Sequence, residues 1–220
     1  EDAGLPLGAD AGAWTDALFG RMEERGADVG IGRYGETRRW YTDPVFQDDP
    51  PPGPEAGAGG AGGDDLPPKA PEPRTVHLGV DLFVEPETPV RAPLAGTVHS
   101  VADHDERLDY GPTLILEHDA GGTPFYTLYG HLGPDVLDRW EPGDWVERGE
   151  RIARVGRAEH NGGWAPHLHL QVAAELLGRG DTFPGVAPPA ERGLWTALSP
   201  DPNLLLGIEG LDPAPPPAGS

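Results

Sequence analysis

The chain has 220 residues, of which 33 are glycine and 27 proline, together more than a quarter, so part of it is expected to lack a packed core. Its 37 acidic residues outnumber 16 basic ones for a formal charge of −21, a field that repels phosphate backbones and anionic membrane surfaces and argues against nucleic acid or membrane as a partner. Cysteine is absent, which removes disulfides and thiolate metal sites and leaves histidine, aspartate and glutamate as the strong metal ligands. No apolar run approaches the ~20 residues needed to span a bilayer. The opening Glu1-Asp2-Ala3-Gly4 is neither a leader peptide nor an initiator methionine, so the chain reads as a piece of a longer one.

In chain order, Trp14, Leu18, Phe19 and Met22 recur at helical spacing between Asp10 and Gly26. This predicts a short amphipathic helix whose apolar stripe serves packing. Residues 29 to 46 alternate like a strand and are rich in aromatics; they are expected to dock as an edge strand or a flap, and a flap would lie over the site and hold it latent. Residues 47 to 73 contain three consecutive prolines, a Gly-Ala-Gly-Gly-Ala-Gly-Gly run and a proline-rich end. They bury too little apolar surface to offset their ordering entropy and are expected to form a flexible linker. The division is thus 1–46, helix and docking segment; 47–73, linker; 74–208, the main domain with a docked C-terminal segment; and 209–220, a disordered tail.

The main domain reads as short strands between turns. After the segment around His77 come Leu94 to Val101, Thr113 to His118, a hairpin connection at Asp119-Ala-Gly-Gly122, and Pro124 to Tyr129. A helical turn near Pro134 to Trp140, a strand at Arg151 to Val155, a glycine-rich loop from Gly156 to Pro166 and the His167 strand follow. A short helical piece is expected at Ala173 to Leu177 and a docked apolar segment at Asn203 to Ile208. Turn signals recur roughly every eight to twelve residues, the pattern of an all-β sandwich or barrel.

Within this pattern, Pro166-His167-Leu168-His169-Leu170-Gln171-Val172 carries two histidines one residue apart. In an extended strand positions i and i+2 share a face. Roughly ninety residues earlier, Thr75-Val76-His77-Leu78-Gly79-Val80-Asp81 also reads as strand, and period two puts His77 and Asp81 on one face. Two histidines and a carboxylate that converge are the ligand set of an open zinc site, with the fourth position left to water. Tyr129-Gly130-His131-Leu132 adds a further histidine inside an apolar frame, where an unpaired polar group is costly. His99 and His118 read as strand-surface residues, His104 as a loop residue, and His160 as a loop residue beside the site.

The order His-x-x-x-Asp, Tyr-Gly-His-Leu, His-Leu-His resembles that of the lysostaphin-type zinc metalloendopeptidases, the family-23 metallopeptidases. So do Gly-Val-Asp-Leu at 79 to 82, Pro-Val-Arg-Ala-Pro-Leu-Ala-Gly-Thr-Val at 89 to 98 and Gly-Asp-Trp-Val-Glu-Arg-Gly-Glu-Arg-Ile-Ala at 143 to 153. The likeness covers roughly residues 74 to 173. It implies a mainly β, antiparallel β-sandwich or hybrid barrel of the lysostaphin type behind a short N-terminal helix. It also implies that His77, Asp81 and His169 hold Zn2+, that His131 and His167 are unligated catalytic histidines, and that the substrate is a peptide or small amide, cut next to glycine or another small residue. His167 is assigned as base and His131 as oxyanion partner, an assignment the sequence leaves open. The approach to the histidine pair is Asn161-Gly-Gly-Trp-Ala-Pro166 rather than the family's usual Ser/Thr-Gly-Pro, and Tyr41 is the nearest candidate for the upstream tyrosine that some members use on the oxyanion.

The flanks carry a looser resemblance. Ile31-Gly-Arg-Tyr34, Tyr41-Thr-Asp-Pro44 and Pro202 to Ile208 look like the segments around such a domain inside a long, cytoplasmic chain, with a kinase-like domain before it and a class III aminotransferase-like domain after it. Two rival readings stand beside the hydrolase. One is a non-catalytic, metal-containing scaffold or binding module. The other is a His/His/Asp iron oxygenase or cupin, disfavoured because Ala173 and Ala174 stand where such sites want a glutamate.

Overall fold

The computed structural model describes residues 11–38, 41, 43–47 and 73–211; the expected linker, apart from Gln47 and Pro73, and the end of the expected tail lie outside them. The elements are α1 (Ala11–Arg25), β1 (Gly30–Gly32), β2 (Val76–His77), β3 (Val80–Phe83), β4 (Pro89–Arg91), β5 (Gly96–His104), β6 (Gly111–Asp119), β7 (Pro124–Gly130), β8 (Trp145–Val146), β9 (Arg151–Arg154), β10 (His167–Ala173), β11 (Val186–Ala187), α2 (Arg192–Leu198) and α3 (Asn203–Leu206). The fold is mainly β, as expected. A seven-stranded antiparallel sheet runs in the order β1-β3-β10-β7-β6-β5-β8, and β2 with β11 and β4 with β9 form two small antiparallel pairs. No described helix is long and apolar enough to cross a membrane.

The large sheet is buried on both faces at its centre. Leu114, Leu116, Tyr129 and Leu170 face one core, which Val90, Ile152, Val155 and Trp140 close. Ile115, Leu128 and Ala173 face another, closed by Leu78, Phe183 and Trp195. That explains why Thr113-Leu-Ile-Leu116 is a continuous apolar run rather than an alternation: a strand covered on both sides has no solvent face. Each fully buried leucine or isoleucine here contributes about 1.5–3 kcal/mol relative to exposure.

Several expectations are corrected. His77 and Asp81 do not share one strand: the chain leaves β2 at Leu78-Gly79 and enters β3 in the other sheet. Leu78, fully buried, anchors the crossing, and Gly79 permits it, since a Cβ there would stand 2.5 Å from His169 Cε1. Residues 174 to 177 form no helix; Ala173 still belongs to β10, and Ala174 N–H bonds Leu198 C=O at 2.8 Å, across to α2 rather than along its own segment. His118 is 5% exposed, not on the surface; its ring bonds Ala95 O at 2.8 Å and Thr127 Oγ1 at 2.7 Å. Residues 209 to 211 lie on the fold, where Leu211 packs with Tyr34 and Val80.

Candidate metal centre and catalytic site

The site sits on the face of the large sheet where β3, β10 and β7 are neighbours. His169 on β10 lies opposite Asp81 on β3 and opposite Gly130 on β7, and side chains directly opposite on antiparallel strands stand on one face in contact. His77 arrives from β2 above that face. His77 Nε2, Asp81 Oδ1 and His169 Nδ1 form a triangle: 3.2 Å from His77 to Asp81, 3.2 Å from His77 to His169 and 2.9 Å from His169 to Asp81. A tetrahedral ion held at ordinary nitrogen and oxygen bond lengths would keep such donors about 3.3–3.6 Å apart. The triangle is within a few tenths of an ångström of that, and among the described residues these three form the cluster able to hold a metal ion. The nitrogen, nitrogen, carboxylate donor set suits a divalent ion of zinc's class.

The atoms that do not face the triangle are occupied. His169 Nε2–H donates to Gln171 Oε1 at 3.0 Å, leaving Nδ1 as the ligand atom. Gln171 is in turn held by its amide, which donates to Pro184 O and Ser199 Oγ. His77 Nδ1 stands 3.0 Å from Arg33 O. Asp81 Oδ2 accepts from Arg38 Nη2 at 2.6 Å. Partners of this kind orient metal ligands and choose their tautomers.

His131 and His167 flank the triangle. His167 Nδ1–H donates to Ala165 O at 2.6 Å, and its Nε2 stands 3.8 Å from Asp81 Oδ1. His131, just beyond the end of β7, adopts φ of +61°, a left-handed conformation that costs a non-glycine residue about 1–2 kcal/mol. The turn is held by His131 N–H on Tyr110 O and by Gly156 N–H on His131 O, each at 2.8 Å, and the side chain bonds Asn161 O through Nδ1 at 3.1 Å. The two rings are 4.2 Å apart between centroids. Phe83 stacks on His167 at 4.9 Å, and Trp14 of α1 meets Phe83 at 5.7 Å with its ring tilted, so the helix stripe buttresses a site residue.

All five groups are at most 5% exposed. Tyr110 lies 5.3 Å from His169 and 5.7 Å from His131 between ring centroids. Over the outer side, Tyr41 and Phe46 stack at 4.3 Å, and both lean on Trp164, 6.1 Å from His131. Tyr41 and Phe46 thus pack against the aromatic ring that borders His131. The Tyr41 hydroxyl accepts from Arg38 Nη1 at 2.5 Å. Of the other histidines, His99 stands 3.6 Å from Glu117, His104 bonds Asp181 O, and His160 pairs with Glu159; none of them enters the site cluster.

Electrostatics follow from burial. Burial alone would raise the Asp81 carboxyl, but Arg38 and then His77 and His167 outweigh it and hold it well below the usual carboxylate range. Burial lowers His77, and Arg38 lowers it further. Burial, then His167 and His169, push His131 well below an ordinary histidine, and burial takes His167 down to about 4. In the metal-free chain these histidines are neutral at neutral pH, which has a consequence for stability. Above about pH 6.5 His167 is unprotonated in both folded and unfolded states; as pH falls, the unfolded state takes the proton first, so stability drops between about 6.5 and about 4, by about 3 kcal/mol from His167 alone. His77 and His131 act in the same direction. Thermal unfolding of metal-free protein from pH 8 to pH 4 should show a midpoint falling through this window; a flat midpoint would contradict the assignment.

Residues 75–179 match the profile of Peptidase family M23. Over 95 residues the chain is 38% identical to an "Uncharacterized metalloprotease" of Haemophilus influenzae; the match covers 43% of this chain and spans only 18% of that relative's length. Among solved structures, the catalytic domain of lysostaphin from Staphylococcus simulans aligns with 24% identity and a TM-score of 0.37, covering 53% of this chain and 77% of that one. An M23 peptidase candidate from Pseudomonas aeruginosa aligns with 20% identity and a TM-score of 0.39, covering 91% of this chain and 63% of that one.

Proposed function

From the match of residues 75–179 to the profile of Peptidase family M23 and the geometry of the site, we propose that the chain is a zinc-dependent hydrolase of peptide or related amide bonds. His77, Asp81 and His169 are its metal-holding set, and His167 and His131 its unligated catalytic histidines. The observation that carries this is the triangle of ligand atoms with edges of 2.9–3.2 Å, with the free Nε2 of a buried, neutral histidine 3.8 Å from its carboxylate corner. Zinc bound there would act as a Lewis acid on water and on the scissile carbonyl.

The chain's own residues do the rest. His167, its Nδ1–H tied to Ala165 O, presents Nε2 as an acceptor. It takes the proton of the attacking water and returns it to the leaving amine, as a general base and then acid. His131 is tied through Nδ1 to Asn161 O in the same way, so it donates from Nε2 only when protonated on both nitrogens. Burial holds it neutral in the resting site; a proton taken up from solvent on Nε2, whose charge the developing oxyanion stabilises and which returns to solvent when the oxyanion collapses, makes it the oxyanion partner. Substrate enters when the Tyr41, Phe46 and Trp164 cover moves, since none of the five site groups is more than 5% exposed beneath it.

Glycine-containing and other small-residue peptides, offered with and without a chelator and with zinc restored, test this proposal. Cleavage that is lost on chelation and regained with zinc is expected; cleavage that survives full metal removal would overturn the proposal. The placement of this domain between kinase-like and aminotransferase-like domains of a longer cytoplasmic chain rests on the flanking segments' resemblance alone.

A further inference from the structure

Arg38 is a buried charged group at the site that the proposed chemistry does not use. It lies outside residues 75–179 and is 6% exposed. Nη2 donates to Asp81 Oδ2 at 2.6 Å and stands 3.0 Å from His77 Nδ1, Nη1 donates to Tyr41 OH at 2.5 Å, and Nε donates to Glu36 Oε1 at 2.8 Å. Its backbone is equally fixed. Arg38 N–H bonds Thr75 O, His77 N–H bonds Glu36 O and Gly35 N–H bonds His77 O, at 2.8–3.0 Å. Gly32 leaves room for the guanidinium, because a Cβ there would stand 2.7 Å from Nη2.

This placement opposes a metal ion in three ways. A partner that accepts a proton from a ligand raises the ligand's basicity and the metal affinity; a cation donating to Asp81 Oδ2 does the reverse, drawing electron density from the carboxylate that supplies Oδ1. A guanidinium has no acceptor, so a bond from Nη2 to His77 Nδ1 requires the lone pair on Nδ1 and the proton on Nε2, the ligand atom. Only the other tautomer, with Nδ1–H on Arg33 O at 3.0 Å, frees Nε2. Finally, two like charges sharing one carboxylate in a buried site repel strongly.

We propose that Arg38 is a built-in counter-cation that stabilises the empty site and sets how weakly the loaded site holds its metal. Rather than a catalytic residue, it is a positioning residue acting through Asp81 and His77, supplied by a segment outside the matched family domain. The inference rests on the metal-site proposal above.

Zinc affinity of the full chain, measured by competition with a chromogenic chelator, tests it together with the thermal midpoint of the metal-free protein. Arg38→Met should bind zinc about 10- to 100-fold more tightly than the unaltered chain, the span that changes around metal ligands produce. Its metal-free form should melt at a lower temperature. Arg38→Lys, which retains the charge, should stay within a few-fold of the original affinity, a rescue that a purely structural role would not predict. If Arg38→Met does not fold, Arg38→Gln, neutral but still able to donate to Oδ2, should also bind more tightly. Unchanged or weaker binding in the neutral variants overturns the inference while leaving the metal site intact; no zinc binding by the unaltered chain overturns both.

Discussion

His169→Ala is expected to abolish stoichiometric zinc binding and to lower peptide hydrolysis by about 10³-fold or more, the equivalent of about 4 kcal/mol of barrier. His169 Nδ1 forms the short 2.9 Å edge of the ligand triangle, and its ring is clamped by Gln171 and seated over Gly79. Removing it leaves two donors, one of them a carboxylate already bonded to Arg38. Asp81→Asn should lose metal too, and it would additionally leave the buried Arg38 charge with Glu36 as its carboxylate partner in place of two, so its metal-free stability should fall. Zinc content and kcat/KM measured together on each variant check this. Full zinc occupancy in His169→Ala would mean that the donor set lies elsewhere.

The two unligated histidines should separate from the ligands by their metal content. His167→Ala is expected to keep one zinc per chain and to lose about 10²–10⁴-fold in kcat, the ordinary worth of a positioned general base. His131→Ala should keep the metal and lose about 10²–10³-fold, the worth of one oxyanion donor. Because the rings are 4.2 Å apart and act on one reacting centre, the double variant should be little worse than the poorer single one. A His167→Ala variant with unaltered kcat would remove it as the base, and the same result in His131→Ala would remove the oxyanion assignment.

Much of this arrangement was legible in the residues themselves. His167-Leu-His169 on an apolar strand announces two side chains on one face, and β10 places them so, with the same period extending to Gln171. That third member of the face, which fixes the ligand tautomer of His169, could have been found by counting one step further. The convergence of His77 and Asp81 was also expected, but for a different reason than the one that operates. Period two along a single strand is not what joins them; a crossing between sheets at Leu78-Gly79 is, and a break of two residues leaves no periodic signature. Arg38 gave no signal, because a surface arginine and a buried one look alike in sequence until the acidic partner roughly forty positions away is known to lie beside it. The surface reading of His118 failed because at this end of β6 Glu117 and Asp119 take the open face and His118 falls on the covered one, where Ala95 O and Thr127 Oγ1 satisfy its ring. The expected helix at 174–177 failed because those residues cross to α2 instead of bonding along their own segment.

The central claim is that His77, Asp81 and His169 hold a catalytic zinc ion. The metal content of the purified, untagged chain, determined by elemental analysis after equilibration with a small excess of zinc and gel filtration, addresses it most directly. About one zinc per chain is the predicted result; a chain that retains no metal, with its five buried site groups intact, would contradict it.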